Sequence, residues 1–414
     1  MEDNIFTKYI RQNSLFKKDR DTLRPSYVPA SLPHRDTEIH QLAAILSTAL
    51  KGERPSNVLV FGKTGTGKTA TVKYLGNEMR SYTKEKAEDF TLHYYYINCE
   101  VVDTNYGILA HIGNRFITQW EERIPFTGWP TESVYSKLRG ELDKKRRVVI
   151  IVLDEIDKLV YKSGDDVLYH LAKINDDLKQ ASISIIGISN DLKFTEFLDP
   201  RVQSRLGEEK MVFPPYNASE LKDILTQRAE MAFEDGVISE SEISLCAALA
   251  AQEHGDARRA IDLLRVAGEL ADRDSQEKIS EKYVYKAKNK IELDCIAEVI
   301  RTLPTQSKLV LYGIVLSADN GSNKLTTGQV YDVYKELCAS IGASVLTQRR
   351  VADLISELDM LGTINARVIS KGRYGRTREI SLSVPIQETK DVLEEDDEVH
   401  AISLPTIYKQ MRLL

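Results

Sequence analysis

The sequence predicts an α/β domain built on a parallel sheet, then a small helical domain, then a C-terminal winged-helix domain. Three observations predict it. Short, continuously apolar runs alternate with helix-spaced patterns up to about residue 213. Amphipathic stretches of helix length, with no convincing strand, fill 219–290. From about residue 292, three helical patterns precede two β-like segments that flank a basic, glycine-bearing turn. Unbroken apolar strands belong to parallel sheets covered on both faces, because side chains on either side of the pleat are then buried.

Residues 1–30 are polar, with the cluster Lys17-Lys18-Asp19-Arg20 and the prolines Pro25 and Pro29, and read as an entry segment. The arm proper is set at 1–14 and the α/β domain at 15–216. Between His34 and Leu50, Ile39, Leu42, Ala43, Ile45, Leu46 and Leu50 recur at helical spacing. Asn57 to Phe61, Leu92 to Asn98, Val148 to Leu153 and Ile183 to Ile188 read as strands. Met211-Val212-Phe213, stopped by Pro214-Pro215, reads as the fifth. In the helical domain, 217–290, Ser219-Glu220-Leu221 and Ser239-Glu240-Ser241-Glu242 place cap-forming and acidic residues at helix starts. The winged-helix domain is set at 291–387, its hairpin formed by Thr363 to Ser370 and Arg378 to Val384. The remainder, 388–414, reads as a flexible acidic run followed by a tail from Ile402 apolar enough to dock.

Composition narrows the function classes. The chain has 414 residues, enough for two to four domains with ordinary cores. Its longest purely aliphatic stretch, Val148 to Leu153, falls far short of the roughly 20 residues that span a bilayer. Met1-Glu2-Asp3-Asn4 lacks the basic and apolar regions of a signal peptide. Cys99, Cys246, Cys295 and Cys338 are scattered, with no CxxC pair, and fit a reducing cytoplasm rather than a zinc site or disulfide framework. A cytoplasmic, nucleoid-associated protein is expected. The formal net charge of −6 is carried entirely by residues 388–398, which hold seven acids and one lysine. The bulk charge therefore hides basic patches elsewhere, so nucleic acid is not excluded as a partner.

Gly62-Lys63-Thr64-Gly65-Thr66-Gly67-Lys68-Thr69 matches GxxxxGK[ST], follows an apolar strand and opens a helical pattern at Ala70. That context makes it a P-loop. The glycines let backbone N–H groups curl around phosphate, assisted by the positive end of the helix. Lys68 reaches the β and γ phosphates, and Thr69 holds Mg²⁺ through its hydroxyl. Val148 to Leu153 delivers Asp154 and Glu155 at a strand end, where Asp154 holds the Mg²⁺ shell and Glu155 polarises the attacking water. Asp157 reads as an ordinary acid of the helix start. Asn190 ends the fourth strand, at the carboxyl edge where ligands bind a parallel sheet, and can orient that water. Two arginine pairs, Arg201 with Arg205 and Arg258 with Arg259, can oppose phosphate charge.

At the other end, Thr347 to Ile355 reads as a recognition helix. Val351, Leu354, Ile355, Leu358 and Leu361 are assigned to its core face, leaving Thr347, Gln348, Arg349 and Arg350 near the exposed N-terminal end. The wing carries Lys371, Arg373, Tyr374, Arg376 and Arg378, with two glycines and no acid before Glu379. Such residues neutralise phosphates or enter a minor groove.

Together these elements resemble the AAA+ ATPases, and among them the archaeal origin-recognition and replication-initiator family, related to the largest eukaryotic origin-recognition subunit and the cell-division-cycle licensing factor. The resemblance covers nearly the whole chain. Tyr27-Val28-Pro29 with Leu32-Pro33-His34-Arg35-Asp36 resembles the adenine-contacting entry segment, and Tyr216 and Arg228 are expected on the same pocket. Phe61 to Thr69 corresponds to Walker A, Leu153 to Asp157 to Walker B, and Asn190 to sensor 1. Asp199 to Leu206 is similar to the arginine-finger box, with Arg205 the best match. Gly255-Asp256-Ala257-Arg258-Arg259-Ala260 is similar to the sensor 2 motif, with Arg258 on the γ-phosphate. Cys99 to Trp120 stands where the family carries its helical insertion, with Arg115 its one basic residue besides His111. The resemblance implies an ATP-dependent initiator that binds double-stranded origin DNA, uses ATP/ADP and Mg²⁺ in slow, switch-like hydrolysis, and recruits or loads the MCM helicase. Partner initiator chains, paralogous or identical, are implied. A clamp-loader subunit and a non-hydrolysing DNA-binding regulator are the alternatives.

Overall fold

The structure, a computed structural model, describes residues 14–17, 20–25, 27–84, 90–370 and 376–402. It divides into two compact units, Met1–Ala287 and Lys288–Leu414. No helix among the described residues is long and apolar enough to cross a membrane.

In the first unit, α1 (Asp36–Leu46) precedes β1 (Val58–Phe61), α2 (Lys68–Lys84) and β2 (Thr91–Asn98). Helices α3 (Asn105–Gly113) and α4 (Thr131–Leu142) lead to β3 (Arg147–Asp154). They are followed by α5 (Ile156–Ser163), α6 (Asp166–Lys173), β4 (Ala181–Ser189), α7 (Pro200–Leu206) and β5 (Glu209–Val212). All five strands are parallel, in the order β2-β3-β4-β1-β5. The unbroken apolar run of β3 has a simple cause. Val149, Ile151 and Leu153 point into a core with α3 to α7, while Val148, Ile150 and Val152 point into a second core with α1 and α2. The observed strands outrun the apolar runs by a few polar residues, such as Thr91, Arg147 and Ser189. Ladder hydrogen bonds do not require an apolar side chain.

Four helices follow: α8 (Ala218–Ala232), α9 (Glu240–Gln252), α10 (Ala257–Arg273) and α11 (Glu281–Thr302), which begins in the first unit and ends in the second. Ser239 and Glu242 form the expected capping box. The preceding start lies earlier than expected: Asn217, not Ser219, caps α8, reciprocally with Glu220. The entry segment belongs to this helical layer rather than to the sheet. Phe16 pairs with Phe233 at 4.8 Å between ring centroids, and backbone bonds join Lys17 N–H to Ala232 O and Glu234 N–H to Leu15 O.

Arg35, read from sequence only as part of an entry motif, is among the most buried side chains, 2 % exposed. It donates to the carbonyl oxygens of Thr66 (2.9 Å) and Pro214 (2.6 Å), and its guanidinium stacks over Tyr216 at 3.8 Å. One cation thus joins the start of α1, the P-loop and the exit of β5. Arg35→Ala orphans two buried carbonyls and is expected to cost about 3 kcal/mol in urea unfolding. A loss below about 1 kcal/mol would show that water reaches both carbonyls instead.

The second unit is built on α12 (Thr305–Asp319), buried along nearly its whole length, with β6 (Leu325–Thr326), α13 (Thr327–Ile341) and α14 (Gln348–Met360). The hairpin strands β7 (Ile364–Ser370) and β8 (Arg376–Leu382) complete an antiparallel sheet, β6-β8-β7. Val351, Leu354, Ile355 and Leu358 are buried as expected. Leu361 is not: it stands at the C-cap of α14, still in helical conformation, and is 49 % exposed.

The acidic run also departs from expectation. It forms α15 (Ile386–Glu394) and α16 (Asp397–His400), with Leu393, Val399 and Ile402 buried in the winged-helix core. Three of its acids are held in place: Asp396 pairs with Lys308 (2.6 Å), Glu395 with Arg301 (2.9 Å), and Glu394 accepts from Tyr312 Oη (2.9 Å). Counting charges concealed the apolar positions between them. Leu393→Ala is expected to destabilise this unit by about 3 kcal/mol, measured by thermal or urea unfolding. No change would mean α15 is not part of the core. The expected docking tail beyond Ile402 lies outside the described residues.

Candidate functional site

Parallel pairing brings three strand ends to one edge. Phe61 stands opposite Ser189, and Asp154 opposite Ile188, so the P-loop, the acid pair and Asn190 leave the sheet side by side. Gly65 and Gly67 have φ of 72° and 90°, which a side chain would strain. The loop closes onto α2, where Lys68 is buried. Its Nζ donates to Gly62 O (2.7 Å), Lys63 O (2.8 Å) and Asn190 Oδ1 (2.9 Å). Burial pulls its pKa down to about 8, opposed by the carboxylate of Asp154.

Asp154 Oδ2 accepts from Thr69 Oγ1 (2.8 Å) and from Tyr96 Oη (2.6 Å). Sequence reading missed Tyr96, which β2 places beside β3 and whose half-buried phenol is thereby held well above its ordinary pKa, burial being the larger cause. The signal was only positional: a tyrosine two residues before the end of the neighbouring strand. Glu155 adopts φ 56°, which turns its side chain off the strand line, and Oε2 lies 2.7 Å from Lys158 Nζ. Lys158 also pairs with Glu100 at 2.5 Å, and both partners raise its pKa. Asp157 is in the first turn of α5, as expected, and buried.

These groups line one cavity of about 360 Å³. Among the predicted contacts, Tyr27, Val28, Gly65 to Ala70, Asp154, Glu155, Asn190, Tyr216, Arg228 and Arg258 all line it. Gly62, Lys63 and Thr64 do not; the first two instead supply carbonyls to Lys68. Arg228, on α8, is buried, donates to Thr22 O (3.0 Å) and stacks on Tyr27 at 4.6 Å, so the entry segment walls the cavity through it. Arg205 lies apart from the cavity, on α7, 44 % exposed and paired with Asp176 at 2.9 Å. Arg201 pairs with Asp199.

The residues fit a magnesium-bound triphosphate. The Thr69 hydroxyl and the Asp154 carboxylate, already within hydrogen-bond distance, are the hard oxygen donors that Mg²⁺ takes.

In the second unit, Thr347 caps α14, its Oγ1 accepting from Arg350 N–H at 3.4 Å. Gln348, Arg349 and Arg350 are exposed on its first turn. Arg350 faces Glu357 at 3.4 Å and Asp353 at 3.9 Å. Gln348, Arg349, Val368, Thr377 and Arg378 line a shallow groove between helix and hairpin. Arg378 is not the free wing cation the sequence suggested. It donates to Ala352 O (2.9 Å) and Ser356 Oγ (2.6 Å), pinning β8 against α14. The side chain of Arg376, and Lys371, Arg373 and Tyr374, lie outside what the structure describes.

Comparison with known proteins matches each part. Residues 51–193 match the AAA domain, 222–289 the Cdc6 AAA+ ATPase-type lid domain, and 298–392 the CDC6 C-terminal winged helix domain. The ORC1-type DNA replication protein 1 of Methanosarcina mazei is 57 % identical over 396 residues, covering 95 % of this chain and 94 % of that one. The chain belongs to the ORC1-type DNA replication protein family. The ORC1-type protein of Pyrococcus furiosus is 55 % identical over 412 residues, covering 100 % of this chain and 97 % of its own. Among solved structures, the Aeropyrum pernix ORC1 protein in complex with DNA superposes with a TM-score of 0.78 at 44 % identity, covering 94 % of this chain and 100 % of that one. This ORC1-type chain is thus an AAA+ ATPase-type protein with a Cdc6-type lid and a winged helix, as its motifs implied, and the clamp-loader alternative falls away.

Proposed function

We propose that this chain is an ATP-dependent replication initiator that binds duplex origin DNA in the nucleoid and recruits or loads the MCM helicase. The observation that carries the nucleotide half is the convergence of Lys68, Thr69, Asp154, Glu155, Asn190 and Arg258 on one cavity. Thr69 and Asp154 would hold Mg²⁺, which would supply Lewis-acid charge to the phosphates. Lys68 and the P-loop N–H groups bind the phosphates, and Tyr27, Val28, Tyr216 and Arg228 enclose the nucleoside. Glu155 takes up the proton side of an attacking water, which Asn190 orients. Arg258, on the lid, gains a phosphate partner only when the γ-phosphate is present, which makes lid position report nucleotide state.

Arg205, exposed and remote from its own chain's cavity, acts on the nucleotide of a neighbouring initiator. Turnover is slow, because a complete charge complement requires that neighbour. The groove between α14 and the hairpin meets DNA: Thr347, Gln348, Arg349 and Arg350 at base edges, the wing residues Lys371, Arg373, Tyr374 and Arg376 along the backbone. The likeness to the DNA-bound Aeropyrum pernix ORC1 protein supports this half. Footprinting the protein across its own chromosome, with and without ATP, tests the whole reading. ATP-dependent enrichment at a locus where synthesis begins is expected; scattered promoter occupancy would favour a transcriptional regulator.

A further inference from the structure

The first turn of α10 is seated on the P-loop. Ala257 N–H donates to Gly65 O at 3.2 Å, a direct backbone bond between lid and phosphate loop. Beside it, the Asp256 carboxylate caps the helix, accepting from Arg258 N–H (2.7 Å) and Arg259 N–H (3.3 Å). The fit is close enough to be exclusive: a Cβ on Gly65 would lie 1.7 Å from Asp256 Oδ1 and 2.2 Å from its Cγ. A second contact fixes the approach from the other side. Tyr216 N–H donates to Gly255 O at 3.2 Å, and a Cβ on Gly255 would lie 2.3 Å from Tyr216 O. Ala257 and Arg258 line the nucleotide cavity, whereas Asp256 does not.

We propose that Asp256 and Ala257 are positioning residues that register Arg258 to the P-loop, so that the lid distinguishes a triphosphate from a diphosphate. The inference rests on reading Arg258 as the γ-phosphate contact. An arginine on a freely hinging helix would spread its charge over many positions and bind ATP and ADP alike. When the lid is closed and seated on Gly65, its Cα has one place relative to the loop that holds the phosphates. Binding energy that depends on that one place separates ligands differing by a phosphate.

The structure supplies a clean test. Ala257 is the first helical residue after the cap, where proline is well tolerated, and Asp256 has the extended backbone (φ −85°, ψ 112°) that a following proline requires. Ala257→Pro therefore removes the one N–H that reaches Gly65 while keeping the helix. Full-length protein is titrated calorimetrically with ADP and with the β,γ-imido analogue of ATP, both with Mg²⁺. Arg258→Ala is expected to lower the triphosphate-to-diphosphate affinity ratio at least about tenfold. Ala257→Pro and Asp256→Ala are expected to lower it about fivefold with little change in ADP affinity. Asp256→Asn, which still caps, keeps the ratio within about twofold. Melting temperature separates a structural role: if Ala257→Pro and Asp256→Ala change only stability, while Arg258→Ala alone collapses the ratio, the register is wrong. If Arg258→Ala itself leaves the ratio unchanged, the γ-phosphate reading of Arg258 fails first. Should Asp256→Ala fail to fold, Ala257→Pro decides alone.

Discussion

Replacing Glu155 with glutamine lowers ATP hydrolysis at least about a hundredfold while leaving nucleotide affinity within about threefold. The amide keeps the shape of the carboxylate and its place in the cavity wall but cannot accept a proton from water. Affinity is spared because the phosphate grip belongs to other groups. Lys68 sits on three acceptors at 2.7–2.9 Å, and Asp154 is held by Thr69 and Tyr96, none of them relying on Glu155. The left-handed backbone at Glu155, φ 56°, turns the side chain away from the strand direction, and its partner Lys158 is half exposed, so losing that ion pair costs little stability. Single-turnover hydrolysis by the variant beside the wild-type chain is the measurement. Equal rates would return the protein to the class of regulators that hold nucleotide without using it.

The affinity for duplex DNA is expected to fall about five-hundredfold between 50 and 200 mM salt, a slope of log K on log salt near −4.5 for about five phosphate contacts. The formal charge of −6 argues the other way only if it is averaged over the chain. Three acids of 388–398 are engaged on α15 and α16, Asp396 with Lys308, Glu395 with Arg301 and Glu394 with Tyr312. The groove carries Arg349 and Gln348 instead. Replacing Arg373 and Arg376 together with alanine should weaken every duplex alike and reduce the slope by about 2. A slope near zero would remove DNA from the account; a loss confined to one sequence would move the wing from backbone to base contact. Arg378 belongs to a different class, since its guanidinium already holds β8 to α14.

The nucleotide site was legible before the fold because its chemistry is local. Eight consecutive residues make the P-loop motif, and a buried strand ends in Asp154-Glu155, where the metal and the water are proposed to sit. Local pattern also located α14, the capping box at Ser239 and the hairpin. It failed where neighbours come from elsewhere in the chain. Leu361 keeps the helical spacing at the C-cap of α14, yet it stays exposed. Leu393 and Val399 stand among acids yet are buried, since α12 offers them a core and their acidic neighbours find cations.

What the sequence determined by itself was the order of domains and the P-loop and strand-end residues now proposed to hold phosphate, because loop geometry and strand burial follow from residues adjacent in the chain. What only tertiary structure decided was which of the remaining polar groups have work within the fold. Tyr96 reaches Asp154 across a strand pair, Arg35 spans from α1 to carbonyls on two other segments, and Asp256 meets Gly65 from a separate layer. Those partners lie some 30 to 190 residues apart along the chain. Only a folded core that closes such loops brings them within hydrogen-bond range.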